Sequence, residues 1–268
     1  MIDQPPAARR LPGLKAEVLV VLGLSLGRSA IYALLTLIDR LTDTAPLAEQ
    51  TAAMNTSDNA KPWLDLIYQL VGLGLALVPA ALAIYLLALR PAAPDLTEPR
   101  GIGPWRSAAG GLGLDLTRPG RDLAYGVGLA GAIGLPGIAF YLAGRAMGLT
   151  VHISTANLGE HWWTVPVLIL AAIENGLLEE VVAVGYLASR LRQCAWRTPA
   201  VLVACALLRG SYHMYQGIGP FLGNAVMGLI FTWFYLRTKR VMPLVVAHSV
   251  MDIVAFVGPS LLNPSWLT

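Results

Sequence analysis

Seven ionisable side chains fall within otherwise apolar stretches in the second half of the chain. They are Glu174, Glu179, Glu180, Arg209, His213, His248 and Asp252. Carboxylate and imidazole groups can take a proton from water, hold a divalent cation or stabilise an oxyanion. Each residue alone could bond a neighbouring helix, but seven of them on three neighbouring stretches indicate a functional site.

The spacing of these residues predicts which of them meet. Glu179 and Glu180 are adjacent, so on a helix their side chains diverge by about 100° and can border one cavity. Arg209 and His213 are four residues apart, which predicts that they share one face of a helix. The last two members of the set have the same spacing. We therefore expect three helices to direct Glu, His and Asp side chains at one point.

The composition predicts that these helices lie in a membrane. Of the 268 residues, 56% are apolar and only 13% are charged, whereas about a quarter are charged in soluble domains. The mean hydropathy is +0.61. A soluble enzyme, a disordered chain and a nucleic-acid binder are excluded, since the net charge of +3 comes from too few charges to coat a polyanion. The two cysteines are too few for a disulfide framework.

Long uncharged stretches predict an all-α protein with a bundle of about seven transmembrane helices. The predicted spans are 18–38, 66–89, 123–144, 162–191, 199–214, 218–236 and 241–257. Pro79 predicts a kink in the second span. Most Lys and Arg residues of the loops fall on one side if the N-terminus is cytoplasmic, which is the orientation we expect.

The whole chain is expected to form one integrated membrane domain. Residues 1–16 form a cytoplasmic N-terminal segment, and 17–147 hold the N-terminal helices. A cytoplasmic loop, 91–121, interrupts those helices and contains an expected interfacial element around 105–116. Residues 162–257 form the core that carries the polar set.

Three short motifs resemble those of a known family, in the family's order. Residues 179–185, Glu-Glu-Val-Val-Ala-Val-Gly, resemble Glu-Glu-x-x-x-Arg-Gly. Residues 209–213, Arg-Gly-Ser-Tyr-His, resemble Phe-x-x-x-His, and residues 248–252 resemble His-x-x-x-Asn or Asp. The family is that of the CPBP intramembrane proteases, which includes the type II CAAX prenyl endopeptidases and the bacteriocin-processing or immunity proteins called Abi.

This resemblance implies an endopeptidase that hydrolyses a peptide bond in or near the bilayer. Glu179 would be the general base on water, Glu180 and His213 would assist, and His248 and Asp252 would complete the oxyanion or metal side. A divalent metal such as zinc on Glu179, His213 and His248 stays open. The implied partners are a membrane-associated peptide or protein substrate and the lipid bilayer, with no nucleic acid. The implied location is the bacterial plasma membrane.

Two positions depart from the family pattern together. Val184 stands where the family usually carries Arg, and Arg209 stands where it usually carries Phe. We interpret this as an exchange, in which Arg209 supports the Glu pair from the facing helix. The alternative is a decayed site in which Arg209 only neutralises a Glu. In addition, an ionised Asp252 cannot donate a hydrogen bond to an oxyanion as Asn can.

Two other functions stay open at this point. The first is a catalytically inactive membrane regulator or bacteriocin-immunity-like protein on the same fold, which the missing arginine at Val184 favours. The second is a proton-coupled transporter, for which Glu pairs and His residues are also typical. The sequence contains no internal repeat, which disfavours transporter folds built from inverted halves.

Overall fold

The computed structural model describes residues 13–90 and 104–262, and this part of the chain is mostly helical. Residues 1–12 of the expected N-terminal segment and residues 91–103 of the expected loop lie outside the described residues. The helices are α1 (Leu14–Gly23), α2 (Leu26–Thr42), α3 (Pro62–Ala76), α4 (Val78–Leu89), α5 (Pro104–Gly111), α6 (Pro119–Ala146), α7 (Thr164–Glu179), α8 (Leu187–Gln193), α9 (Thr198–Ser211), α10 (Ile218–Thr238) and α11 (Met242–Leu262). A π-helical segment, Glu180–Tyr186, joins α7 to α8.

Four helical segments among the described residues are long and apolar enough to cross a membrane, judged by length and composition. They are Pro62–Leu89, Pro119–Ala146, Ile218–Thr238 and Met242–Pro259. The bent pair α1 and α2 makes a fifth if it is one span. This agrees with a multi-pass all-α membrane protein. Seven crossings and a cytoplasmic N-terminus stay predictions.

Two of the predicted spans are broken. The first, 18–38, consists of α1 and α2, which are bent by 53° against each other. Gly27 follows the bend, and a Cβ at this position would lie 2.8 Å from the backbone oxygen of Leu22, so the close approach favours glycine. The second span is interrupted by a single turn residue, Leu77, between α3 and α4. Pro79 lies in the first turn of α4, as expected for a proline at a break.

Small residues bring the motif-bearing helices together. Helix α11 packs on α7 and α6, and α10 packs on α9. A Cβ added at Gly176 of α7 would lie 2.6 Å from the Ser249 hydroxyl oxygen on α11. A Cβ at Gly228 of α10 would lie 2.9 Å from Ala206 Cα on α9. Both glycines therefore permit a backbone approach that a larger side chain would prevent.

Two arginines link several helices. Arg190 lies near the end of the predicted span 162–191, and it is fully buried in the last turn of α8. Its guanidinium donates to the Glu17 carboxylate on α1 at 2.8 Å and to the Leu86 carbonyl on α4 at 2.6 Å. We call Arg190 with these two partners the Arg190 cluster. Arg240, between α10 and α11, donates to the Asp122 carboxylate of α6 at 2.8 Å.

Two short elements complete the described chain. Strands β1 (Thr51–Ala53) and β2 (His152–Ser154) pair in parallel and join the loop after α2 to the loop after α6. Strands of three residues are too short to show an alternating pattern, so the sequence predicts neither of them. Helix α5 lies within the expected interfacial element 105–116, apart from its first residue.

Candidate active site

The Glu pair lies where the helix changes its winding. Glu179 is the last residue of α7, and Glu180 is the first of the π-helical segment. All seven residues of that segment are buried, and they contact α4, α9 and α10. The sequence predicts one regular helix here, because it contains no proline or glycine pair to mark the change. π-helical turns occur frequently at functional sites.

Arg209 on α9 holds both carboxylates of the pair. Its side chain is fully buried, and its Nη2 donates a hydrogen bond to Glu180 Oε1. Its Nη1 lies 3.5 Å from Glu179 Oε2, and its guanidinium lies over the Phe231 ring, 5.4 Å from the centroid. The expected contact between Arg209 and the Glu pair is therefore present. Val184 lies buried in the π-helical segment, and its exchange with Arg209 stays a prediction.

His248 on α11 lies among three carboxylates. Its Nδ1 is 2.7 Å from Glu180 Oε1, so Nδ1 carries the proton of this hydrogen bond. Its Nε2 is 3.9 Å from Glu179 Oε2 and 3.7 Å from Asp252 Oδ2. The Asn175 side-chain amide of α7 donates to the same Asp252 oxygen at 3.2 Å. The His248 imidazole of α11 thus faces carboxylates of α7, of the π-helical segment and of its own helix.

His213 lies just beyond the helix that carries Arg209, so one continuous helix does not present both residues. Helix α9 ends at Ser211, and the His213 backbone N–H donates to the Gly210 carbonyl at 3.0 Å, in a tighter turn. Both ring nitrogens of His213 are buried and without a hydrogen-bond partner among the described residues. His213 still lies within electrostatic range of Glu179.

Tyr212 is the functional candidate that the sequence argument misses. It is buried, and its hydroxyl donates to Glu179 Oε2 at 2.6 Å. Its ring contacts the His213 ring, with the centroids 4.8 Å apart. Position 212 lies inside the second motif and is three residues from Arg209, so the two would be neighbours on a helix. A tyrosine is not among the charged and imidazole groups that mark the site in the sequence.

Asn175 also escapes the sequence argument, although its position is informative. It precedes Glu179 by four residues on α7, so the two share a helical face. Because its side chain is uncharged, Asn175 is not found by a search for charged residues within apolar stretches.

Residues 161–254 contain all three motifs and match the family model described as Type II CAAX prenyl endopeptidase Rce1-like. This segment is therefore similar to the CPBP, or CAAX protease, family. The match confirms the resemblance inferred from the three motifs, and the family is one of proteases. Comparison with curated proteins and comparison with solved structures gave no match.

Among the described residues, no group of three or more His, Cys, Asp or Glu side chains is arranged to hold a metal ion. Glu179 Oε2 instead accepts from Tyr212 and faces the Arg209 guanidinium, which already supplies positive charge. A metal on Glu179, His213 and His248 stays a prediction, and no step below depends on it.

Other buried polar atoms of the site have no partner within the described ranges. Glu180 Oε2 is one of them, and Glu174 Oε1 on α7 is another. Glu174 lies within electrostatic range of Glu179 and Asp252 but makes no hydrogen bond at that oxygen. In native proteins such atoms mark catalytic groups or places where water binds.

A cavity of about 490 Å³ lies beside the bend between α1 and α2. Arg28, Tyr32 and Pro79 line it together with Leu178, which precedes Glu179 on α7. The Arg28 guanidinium lies over the Tyr32 ring, 5.5 Å from its centroid. This recess therefore adjoins the helix that bears the Glu pair.

Proposed function

We propose that the protein is a membrane-embedded endopeptidase that hydrolyses a peptide bond in or near the bilayer. One observation carries the proposal: Glu179, Glu180, Arg209, Tyr212 and His248 form one connected polar cluster between apolar helices. Ionisable groups at membrane depth are costly, by about 2.5–3.5 kcal/mol each on insertion scales. The similarity of residues 161–254 to a protease family supports the same reaction class.

Glu179 is the group best suited to accept a proton from water. Its side chain is 12% exposed, whereas Glu180 is fully enclosed and bound by Arg209 and His248. Water adds to the substrate carbonyl carbon as Glu179 takes one of its protons. The same proton then passes to the nitrogen of the departing peptide.

The other residues hold this base and the reacting groups in place. Glu180 fixes the orientation of His248 through Nδ1, and Asp252 lies near the Nε2 atom of the same ring. His213 has two ring nitrogens available for water or for a substrate amide. In this proposal Glu180 and His213 assist the base, while His248 and Asp252 lie on the side of the carbonyl oxygen.

The proposed substrate is a membrane-associated peptide or protein, and the proposed location is the bacterial plasma membrane. Helix α11, which carries His248, is long and apolar enough to cross a bilayer, and in this proposal the peptide enters from the membrane or its surface.

The test uses the full chain, purified and reconstituted in lipid vesicles. Two quenched fluorescent peptides of one sequence are compared, one farnesylated and one unmodified. We expect cleavage of at least one, and a loss of about 10²–10⁴-fold in kcat for Glu179→Gln, because the variant lacks the base. Glu49→Gln is the matched control, since Glu49 is exposed in the loop after α2. A wild-type protein that cleaves neither peptide would refute the proposal.

A non-catalytic regulator or immunity-like protein is the second candidate. The observation that favours it is the complete pairing of Glu180 Oε1 with Arg209 and His248, together with Val184 at the family's arginine position. In that case the wild-type protein and Glu179→Gln would bind a membrane peptide equally, and neither would cleave it.

A further inference from the structure

We infer that Tyr212 is a catalytic residue that donates the hydrogen bond to the oxyanion formed during peptide hydrolysis. The inference rests on the proposed peptidase function. It assigns to Tyr212 a role that Asp252 cannot fill while ionised, because a carboxylate only accepts hydrogen bonds.

The position of the Tyr212 hydroxyl carries this assignment. It lies 2.6 Å from Glu179 Oε2, the oxygen proposed to receive the proton of water. Tyr212 is 6% exposed, so its hydroxyl acts in a low-dielectric environment, where a hydrogen bond to a developing charge is strongest. It follows the last residue of α9, where Gly210 lies tightly against Phe221 of α10, with 2.7 Å between a Cβ added at Gly210 and the Phe221 oxygen.

Several other donors of the cluster are engaged, as the Tyr212 hydroxyl is, while Arg209 Nε and the His213 ring nitrogens have no hydrogen-bond partner among the described residues. Arg209 Nη2 donates to Glu180, and Nη1 faces Glu179. His248 Nδ1 is bound to Glu180. The Asn175 amide donates to Asp252 and has a second N–H, which makes it the rival donor to be tested beside Tyr212.

The proton and electron balance of the step is complete without any further reactant. Water forms a bond to the carbonyl carbon, Glu179 takes one water proton, and the carbonyl π electrons move to oxygen. The protonated Glu179 is then a weaker acceptor than the new oxyanion, so the Tyr212 hydroxyl turns to the oxyanion. When the C–N bond breaks, Glu179 gives its proton to the leaving nitrogen, and Tyr212 donates to Glu179 again. Tyr212 keeps its proton throughout.

The test is the variant Tyr212→Phe in vesicles, assayed with the peptide that the wild-type protein cleaves. We expect kcat to fall by about 10²–10³-fold, the cost of removing one oxyanion donor, while KM stays within about twofold of wild type. Tyr235→Phe is the matched control, because Tyr235 is buried on α10 and its hydroxyl pairs with the Ser189 hydroxyl of α8. Asn175→Ala tests the rival donor, and a larger loss of kcat there than in Tyr212→Phe would overturn the inference.

Two further measurements separate catalysis from a purely structural role. A phosphinate peptide resembles the tetrahedral oxyanion, so Tyr212→Phe should weaken its binding by the same factor as kcat/KM. Replacing Asp252 in the same protein, as Tyr212→Phe with Asp252→Asn, restores a donor and should recover at least about tenfold in kcat. If Tyr212→Phe does not fold, 3-fluorotyrosine at position 212 tests the same point, because its stronger donor hydroxyl should raise kcat.

Four outcomes would overturn the inference. These are an unchanged kcat in Tyr212→Phe, unchanged phosphinate binding despite a reduced kcat, no recovery in the double variant, and an unchanged kcat with 3-fluorotyrosine. Failure of the wild-type protein to cleave any peptide would instead refute the peptidase function, and the role of Tyr212 with it.

Discussion

Arg209 and Glu180 form an ion pair in which neither side chain is exposed, although they belong to different motifs and lie 29 residues apart. The cation lies on α9 and the anion on the π-helical segment. Taking two charges out of water is costly, and removing one partner leaves the other uncompensated. A shift of α9 relative to the Glu residues would separate the two buried charges and would therefore cost free energy.

The first prediction concerns the exchange of Arg209 and Val184. Arg209→Phe should abolish peptide cleavage and lower the free energy of unfolding by about 3–5 kcal/mol, because it strands a buried carboxylate. Adding Val184→Arg to that variant should restore part of the activity and part of the stability, since it supplies a guanidinium from the position that the family uses. Unfolding in detergent and cleavage in vesicles measure the two effects. An Arg209→Phe protein with wild-type activity would contradict the exchange.

The second prediction separates the two members of the Glu pair. Glu180→Gln should destabilise the protein more than Glu179→Gln, because Glu180 is fully buried and faces both Arg209 and His248. Glu179→Gln should leave the unfolding free energy nearly unchanged, since the amide oxygen still accepts from Tyr212, and yet remove activity. Unfolding curves of both variants test this. Equal destabilisation would show that the two carboxylates are energetically equivalent.

The third prediction concerns the contact between α7 and α11. In Gly176→Ala the new Cβ would lie 2.6 Å from the Ser249 hydroxyl and 3.1 Å from the Val245 carbonyl. We expect a loss of about 1–3 kcal/mol in unfolding free energy, as for other overpacked contacts, and a lower kcat, because α11 carries His248. Gly72→Ala on α3 is the matched control, with no atom within 4 Å of its added Cβ. It should be neutral or stabilising, and a loss equal to that of Gly176→Ala would refute the packing argument.

The fourth prediction concerns acid stability at the loop between α5 and α6. Partial burial raises the pKa of Asp115, but hydrogen bonds from Arg240 and Thr117 outweigh it and lower this pKa to about 2. The stabilisation by Asp115 is therefore complete above about pH 4, near the pKa of an unfolded Asp, and is lost as the pH falls towards 2. Its size is reduced by solvent screening, since a quarter of the side chain is exposed.

Unfolding of wild type and Asp115→Asn in detergent, followed from pH 6 to pH 2, measures this effect. The two proteins should differ in unfolding free energy at pH 6 and converge towards pH 2. A difference that stays constant over this range would contradict the role of the Asp115 carboxylate.

The membrane character and the site region can be predicted from sequence because both depend on residue counts and spacing. Uncharged stretches predict where helices lie, and the three motifs locate the segment 161–254 that the family model also matches. The charge pattern also predicts that Arg209 reaches the Glu pair, since an isolated cation at membrane depth needs an anion.

The remaining features depend on tertiary contacts that no local pattern reports. Helix α9 ends at Ser211, short of His213, and the Tyr212 hydroxyl contacts Glu179. The bend of 53° between α1 and α2 occurs in a stretch that reads as one apolar span. The π-helical winding after Glu179 is likewise a response to the helices packed around it.

The geometry of the site depends on the length of the π-helical segment, because contacts fix the chain on both sides of it. On one side of the Glu pair, Gly176 fixes α7 against Ser249. On the other side, the Arg190 cluster fixes α8 against α1 and α4. A deletion of one residue within 181–185 would relax the segment towards an α-helix and rotate the pair by about 100° relative to that cluster. Single-residue deletions here therefore change the direction in which the two carboxylates point. Substitutions that keep the residues apolar and of similar volume leave that direction unchanged.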